Sequence, residues 1–299
     1  MKKILLLLLC LPLFSVLTSA QANDGLRFFP KGTQLYSNIP YANDTLKSHQ
    51  LDIFVPAGTA KTHPVILWLH SGGWRAGGKQ GDMYYMSNTL KALIKNSYAI
   101  IAINYRYSTS AIFPAQIRDC NQAMEFIYNN AGKYQLDRQR IAIMGFSAGG
   151  HLAALMGLSN NNDIPDFYLS GKKPGFRISA VIDYFGLSDF YLIPHAEYKK
   201  TTNGPGLLFG AAMADKPALV KQATPLSYID RADPPFLIIH GNKDEQMDVR
   251  QSVTLNDSLR SHGVTTRLML INGGPHGGEM FDTDSVTHTV VRFLNSYLR

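Results

Sequence analysis

Arg140-Ile141-Ala142-Ile143-Met144-Gly145-Phe146-Ser147-Ala148-Gly149-Gly150-His151-Leu152-Ala153 joins two kinds of pattern in fourteen residues. Its first part is apolar and rich in β-branched residues, the pattern of a strand buried in a parallel sheet. Its last part, from Gly150 on, reads as a helix. Between them lies a G-x-S-x-G string, Gly145-Phe146-Ser147-Ala148-Gly149, on a strand-to-helix turn. Such a turn is so tight that flanking side chains would clash, and it holds the serine hydroxyl strained and exposed above the sheet. It also aims the first N–H groups of the helix at any anion that forms beside that hydroxyl. The same string occurs in ordinary Gly-rich turns. The strand before it and the helix after it make Ser147 a candidate nucleophile.

Working outward, short apolar runs predict strands at 50–55, 65–70, 99–105, 140–146, 178–185, 236–240 and 266–271. Longer amphipathic segments predict helices at 83–95, 115–130, 150–159, 249–262 and 284–298. This alternation predicts an α/β chain with a mostly parallel central sheet and helices on both faces. The rhythm breaks at 187–233, where Pro194, Asn203-Gly204-Pro205-Gly206, Gly210, Pro217 and Pro225 interrupt any regular pattern. That segment reads as an excursion over the top of the sheet, forming a lid or substrate wall, with a plain long connection as the alternative.

A serine nucleophile needs a base, an acid to orient the base, and donors for the developing oxyanion. In an α/β sheet these gather in the loops at strand C-terminal ends. The base candidate is His276, in Gly273-Gly274-Pro275-His276-Gly277-Gly278 after the last expected strand. The acid candidate is Asp244, in His240-Gly241-Asn242-Lys243-Asp244 after the strand before it. Glu245 and Asp248 lie close by; Asp244 is favoured as nearest the strand end, Asp248 as the N-cap of a helix starting at Val249. Asp183 and Asp189 are the weaker acid alternatives, and His240 is expected to buttress the acid's loop. Oxyanion donors are expected from the N–H groups of Gly72 and Gly73, in His70-Ser71-Gly72-Gly73-Trp74, together with Ala148. His70 is expected to brace its own loop, and Trp74 to line the acyl or alcohol pocket or simply to pack.

The order Ser147…Asp244…His276, with an H-x-G-G-W loop upstream, resembles the α/β-hydrolase superfamily. More narrowly it resembles the secreted esterase/lipase branch that includes carboxylesterases and acetylxylan, feruloyl or glucuronoyl esterases. Leu51-Asp52-Ile53-Phe54-Val55-Pro56, Asn104-Tyr105-Arg106-Tyr107, the segment from Phe113 to Asp119 and Pro234-Pro235-Phe236 through Gly241 fit that branch as well. The resemblance implies an α/β-hydrolase fold and cleavage of carboxylic esters, possible targets including carbohydrate-linked ones, through an acyl-enzyme and without a cofactor. Two departures stand out. Ser71 replaces the first glycine of the family's H-G-G-G-W loop, and Pro275 stands where a small residue usually precedes the histidine. Both are expected to bear on substrate preference and to leave the oxyanion donors in place.

Hydrophobic residues make up 45% of the 299 and charged ones 17%, which excludes a disordered chain. The net charge of +7 comes from scattered residues with no basic, aromatic-interleaved run, so no nucleic-acid partner is expected. No His/carboxylate set with zinc spacing and no phosphate-binding glycine loop appears. Residues 1–22 read as an export signal: Lys2-Lys3, an apolar run from Ile4 to Leu17, then Ala20-Gln21-Ala22. Cleavage before Asn23 or after Ala20 leaves a periplasmic or extracellular protein with no stable membrane anchor. Cys120 is then its only cysteine, expected to be buried and inert. Two other functions compete. A prolyl-oligopeptidase-like peptidase shares this serine turn, but residues 23–50 are too few for one propeller blade of roughly 40–45 residues. A catalytically silent binding protein would not need a complete set of catalytic parts.

Overall fold

A computed structural model describes residues 24–299. The predicted export signal lies outside these described residues. Eight strands form one sheet in the order β1-β2-β4-β3-β5-β6-β7-β8. They are β1 (Gln34–Pro40), β2 (Gln50–Val55), β3 (His63–Leu69), β4 (Ala99–Ile103), β5 (Leu136–Phe146), β6 (Ala180–Tyr184), β7 (Phe236–Gly241) and β8 (Thr266–Ile271). β2 pairs antiparallel with β1 and with β4, and every other pairing is parallel.

The period-two alternation of strand side chains splits the core in two. Val65, Leu67 and Leu69 of β3 join one apolar cluster, and Ile66 and Trp68 join the other. The first cluster is covered by α2 (Ala115–Asn130), α3 (Ala148–Ser159) and α6 (Arg250–Ser261), the second by α1 (Ser87–Lys95) and α7 (Asp284–Leu298). In α7 the residues Val286, Val290, Leu294 and Leu298 recur every fourth position and are buried. Its Thr283 hydroxyl caps the N–H of Val286.

Two expectations are corrected. β1 went unpredicted because it is an edge strand with no buried residue, broken by an irregularity between Tyr36 and Ile39. The helix expected from residue 83 splits into a 3-10 turn, Gly81–Tyr84, and α1. The cap of α1 is tertiary: Asp282 accepts from the N–H groups of Asn88 and Thr89 at 2.7 and 2.8 Å.

The 187–233 excursion contains α4 (Gly204–Phe209) and α5 (Pro217–Ala223) and is anchored by buried Phe190, Leu208, Phe209 and Val220. The N–H of Phe113 donates to the Leu208 carbonyl at 2.8 Å, and the His151 ring bonds the Ala223 carbonyl at 2.8 Å. The excursion is therefore a packed layer over the α2–α3 face.

Candidate active site

Ser147 leaves β5 and precedes the first residue of α3 with φ 53° and ψ −113°, a left-handed conformation that a serine adopts only under constraint. The constraint comes from its neighbours. A Cβ on Gly145 would lie 2.0 Å from the Gly149 carbonyl oxygen, and one on Gly149 would lie 2.2 Å from that of Leu69. The N–H of Ser147 donates to the Tyr184 carbonyl at 2.9 Å, tying the turn to β6.

The His276 Nε2 lies 2.8 Å from the Ser147 Oγ, and its Nδ1 lies 2.6 Å from Asp244 Oδ2. The loops carrying acid and base are stitched together. The Lys243 N–H donates to the Gly274 carbonyl at 2.9 Å, the Asn242 N–H donates to that of Ile271 at 3.1 Å, and a Cβ on Gly241 would meet the Gly274 oxygen at 2.1 Å. Asp244 is buried, which alone would raise its pKa. Hydrogen bonds from His240, His276 and the Met247 N–H outweigh that and hold the carboxyl well below the usual carboxylate range. An ionised Asp244 accepts from His276 Nδ1–H, leaving the Nε2 lone pair to take the Ser147 hydroxyl proton.

His240 reaches the same Asp244 oxygen with Nε2 at 3.1 Å, while Ser252 bonds its Nδ1 at 2.7 Å. The expected buttress therefore touches the acid itself. Asp248 caps differently from the expectation: α6 begins at Arg250, and Asp248 accepts that residue's N–H at 2.9 Å. Asp183 is fully buried, with Oδ1 accepting from the Gly186 N–H at 2.9 Å, and makes no bond to His276.

The loop after β3 carries φ +120° at Gly72, +59° at Gly73 and +60° at Trp74. Glycine is required at 72, where a Cβ would lie 2.1 Å from the Ala76 carbonyl oxygen. Among the described residues, the Gly72 and Gly73 N–H groups donate to no protein acceptor. Ala148 opens α3, so its N–H has no acceptor one turn back. A Cβ on Gly149 would lie 2.2 Å from the Leu69 carbonyl oxygen and 2.6 Å from that of His70, so the start of α3 sits against the end of β3, where the Gly72–Gly73 loop begins. His70 braces the loop as expected: its Nδ1 bonds the Ser71 carbonyl at 2.6 Å and its ring stacks on Tyr105 at 4.2 Å. Burial pushes its pKa down to about 4, so it is neutral near pH 7.

Residues 51–259 match the BD-FAE family. The chain belongs to that family. This BD-FAE chain is similar to the esterase LipQ of Mycobacterium tuberculosis, 30% identical over 240 residues that cover 77% of this chain and 54% of LipQ. It spans about half the length of the curated relatives it matches. A truncated carbohydrate esterase from gut microbiota has a solved structure that superposes with a TM-score of 0.78 at 30% identity, covering 88% of this chain and 95% of that one. Esterase B of Lactobacillus rhamnosis superposes at 0.73 with 20% identity, covering 90% and 86%, and shares the fold. The fold is that of the α/β-hydrolase esterases.

Two cavities adjoin the site in this BD-FAE chain. One, of about 350 Å³, is lined by Trp74, Leu187, Met247 and the excursion residues Leu192, Ile193 and Pro205. Trp74 is buried in the core cluster and also lies in the wall of this cavity, held there by its indole N–H donating to His151 Nδ1 at 3.1 Å. The other, of about 150 Å³, has Ser71, Asp82, Tyr85 and His276 in its wall. A larger depression lined by residues between 215 and 228 includes none of Ser147, Asp244 and His276.

Asp82 was missed by sequence reasoning. Its carboxylate accepts from the Ser71 N–H at 2.8 Å and from the Ser71 hydroxyl at 2.7 Å. Burial pushes its carboxyl up in spite of those two bonds. Its one signal was the unusual Ser71, which needs a partner. Asp119 is buried and pairs with Arg106, the guanidinium 2.6 Å from its Oδ1. Cys120 is buried and free.

Proposed function

We propose that this chain is a serine hydrolase that cleaves carboxylic esters through an acyl-enzyme, with Ser147, His276 and Asp244 as its triad. The observation that carries the reading is the continuous chain of hydrogen bonds Ser147–His276–Asp244, at 2.8 and 2.6 Å. Ser147 Oγ attacks the ester carbonyl carbon as His276 Nε2 takes its proton. The N–H groups of Gly72, Gly73 and Ala148 receive the oxyanion. When the intermediate collapses, the C–O bond to the alcohol breaks and His276 returns the proton to the departing oxygen. Water, deprotonated by the same histidine, then attacks the acyl-enzyme and releases the acid.

The esterase relatives support the reaction class, and the carbohydrate esterase supports carbohydrate-linked esters as substrates. The N-terminal signal supports action outside the cytoplasm. Assaying p-nitrophenyl acetate and butyrate with wild type and Ser147→Ala tests the proposal. Loss of at least about 10³-fold in kcat is expected for a missing nucleophile, and undiminished hydrolysis would overturn it.

A further inference from the structure

We propose that Asp82 is a positioning residue of the oxyanion loop: by gripping Ser71 it aims the Gly72 N–H at the developing oxyanion. This rests on the ester-hydrolase reading above and deepens it. The Ser71 carbonyl and the Gly72 N–H belong to one rigid peptide plane, so whatever orients Ser71 orients that donor. Ser71 is held at three points. Its N–H donates to Asp82 Oδ2 at 2.8 Å, its hydroxyl donates to Asp82 Oδ1 at 2.7 Å, and its carbonyl is bonded by His70 Nδ1 at 2.6 Å. A single carboxylate supplies two of the three.

The other ties of the loop lie on either side of that residue. Before it, the Tyr105 hydroxyl donates to the His70 carbonyl at 2.8 Å. After it, the Gly72 carbonyl accepts from the N–H groups of Arg75 and Ala76 at 3.1 and 3.0 Å, and the Ser108 N–H donates to the Trp74 carbonyl at 2.7 Å. None of these bonds reaches the Ser71 N–H or its hydroxyl. Gly72, at φ +120°, has no side chain to stiffen its own backbone. Without Asp82 the Ser71 residue turns more freely, and the donor peptide turns with it. A misplacement of about 1 Å can cost up to about 10²-fold in rate, and an oxyanion donor works only when aimed.

The serine makes the grip two-pronged. A glycine at 71 would carry no hydroxyl and would leave Asp82 Oδ1 without its Ser71 bond, so serine and aspartate act as one unit. Asp82 and His276 also share the wall of the 150 Å³ cavity, and a direct effect of the Asp82 charge on His276 is the rival account. Asparagine separates the two. Its carbonyl accepts the Ser71 N–H and its NH₂ donates to the Ser71 hydroxyl oxygen, so both contacts survive while the charge is gone.

The test is steady-state hydrolysis of p-nitrophenyl acetate near pH 8 by wild type, Asp82→Ala, Asp82→Asn, Ser71→Ala and the double variant Ser71→Ala/Asp82→Ala, with circular dichroism to establish folding. Acylation and deacylation both pass through an oxyanion, so Asp82→Ala is expected to lower kcat about 10–100-fold with KM nearly unchanged. The Ki of an aryl trifluoromethyl ketone, to whose carbonyl Ser147 adds to give a hemiketal oxyanion, should rise by the same factor. Asp82→Asn should return kcat to within about threefold of wild type. The double variant should lose no more than Asp82→Ala, because the Ser71 hydroxyl then has no partner left to lose. A loss carried in KM, or a Ki that stays put while kcat falls, would mark a merely structural role and overturn the proposal. So would an unchanged kcat in Asp82→Ala, an Asp82→Asn as impaired as Asp82→Ala, or additive losses in the double variant. If Asp82→Ala does not fold, Ser71→Ala decides: kcat down and Ki up by about threefold each is expected, and no change in either is the contrary result. Ser147-dependent turnover by the wild type tests the underlying reading separately, so failure of the positioning role leaves that turnover intact.

Discussion

Replacing Asp244 by Asn puts an amide nitrogen where one carboxylate oxygen now receives both His276 Nδ1, at 2.6 Å, and His240 Nε2, at 3.1 Å. The other oxygen, Oδ1, accepts the N–H groups of Gln246 and Met247 at 2.8 Å each. The Asn carbonyl must therefore take the Oδ1 place, which leaves its NH₂ facing the His276 ring. His276 then satisfies that NH₂ only by accepting at Nδ1, which moves its proton to Nε2, against Ser147. A histidine in that tautomer has no lone pair for the serine proton. The expected loss is about 10⁴-fold in kcat, on the order of 5 kcal/mol in the barrier. KM should change little, since no substrate contact is removed. The assay is steady-state hydrolysis of p-nitrophenyl acetate near pH 8, with circular dichroism to establish folding. Stability gives a second readout. The native Asp244 carboxyl lies below its unfolded value near 4, so its contribution is present above about pH 4 and is lost as pH falls through the native value. The stability gap between wild type and Asp244→Asn should therefore narrow on acidification. A folded Asp244→Asn protein retaining more than a tenth of wild-type kcat would refute the orienting role.

Two further outcomes follow from local geometry. Gly72→Ala forces a Cβ to within 2.1 Å of the Ala76 oxygen at φ +120° and should reduce kcat by about 10²–10³, checked on the same ester. The Asp183 carboxyl is pushed up to about 6 by complete burial. The native state keeps that proton between about pH 4 and 6 while the unfolded state releases it, so stability falls as pH rises through the window, by up to about 3 kcal/mol. Asp183→Asn should flatten that slope in urea unfolding midpoints, and parallel profiles would contradict it.

Much of the fold was legible because burial leaves a period. The bounds of β2, α2 and α7 coincide with the expected segments, each an apolar run or stripe bounded by polar punctuation. The serine turn was legible because glycine is required wherever backbones approach within a Cβ radius, as at Gly145 and Gly149. What escaped depended on distant partners. The start of α1 is set by Asp282, far along the chain, and the edge strand β1 has no buried face to leave a pattern. Asp82 has no sequence motif at all, and only the folded loop places it under Ser71. The partner of Asp119 is equally remote: Arg106 donates to it through both its backbone N–H and its guanidinium.

If His276 and Asp244 make Ser147 a nucleophile, a phosphonate should capture it covalently. Purified protein is treated with a p-nitrophenyl alkylphosphonate, digested and analysed by mass spectrometry, alongside Ser147→Ala and His276→Ala. One phosphonyl adduct is expected on the peptide carrying Ser147, absent from Ser147→Ala and formed far more slowly in His276→Ala. An adduct on another residue, or labelling of Ser147 at an equal rate without His276, would contradict it.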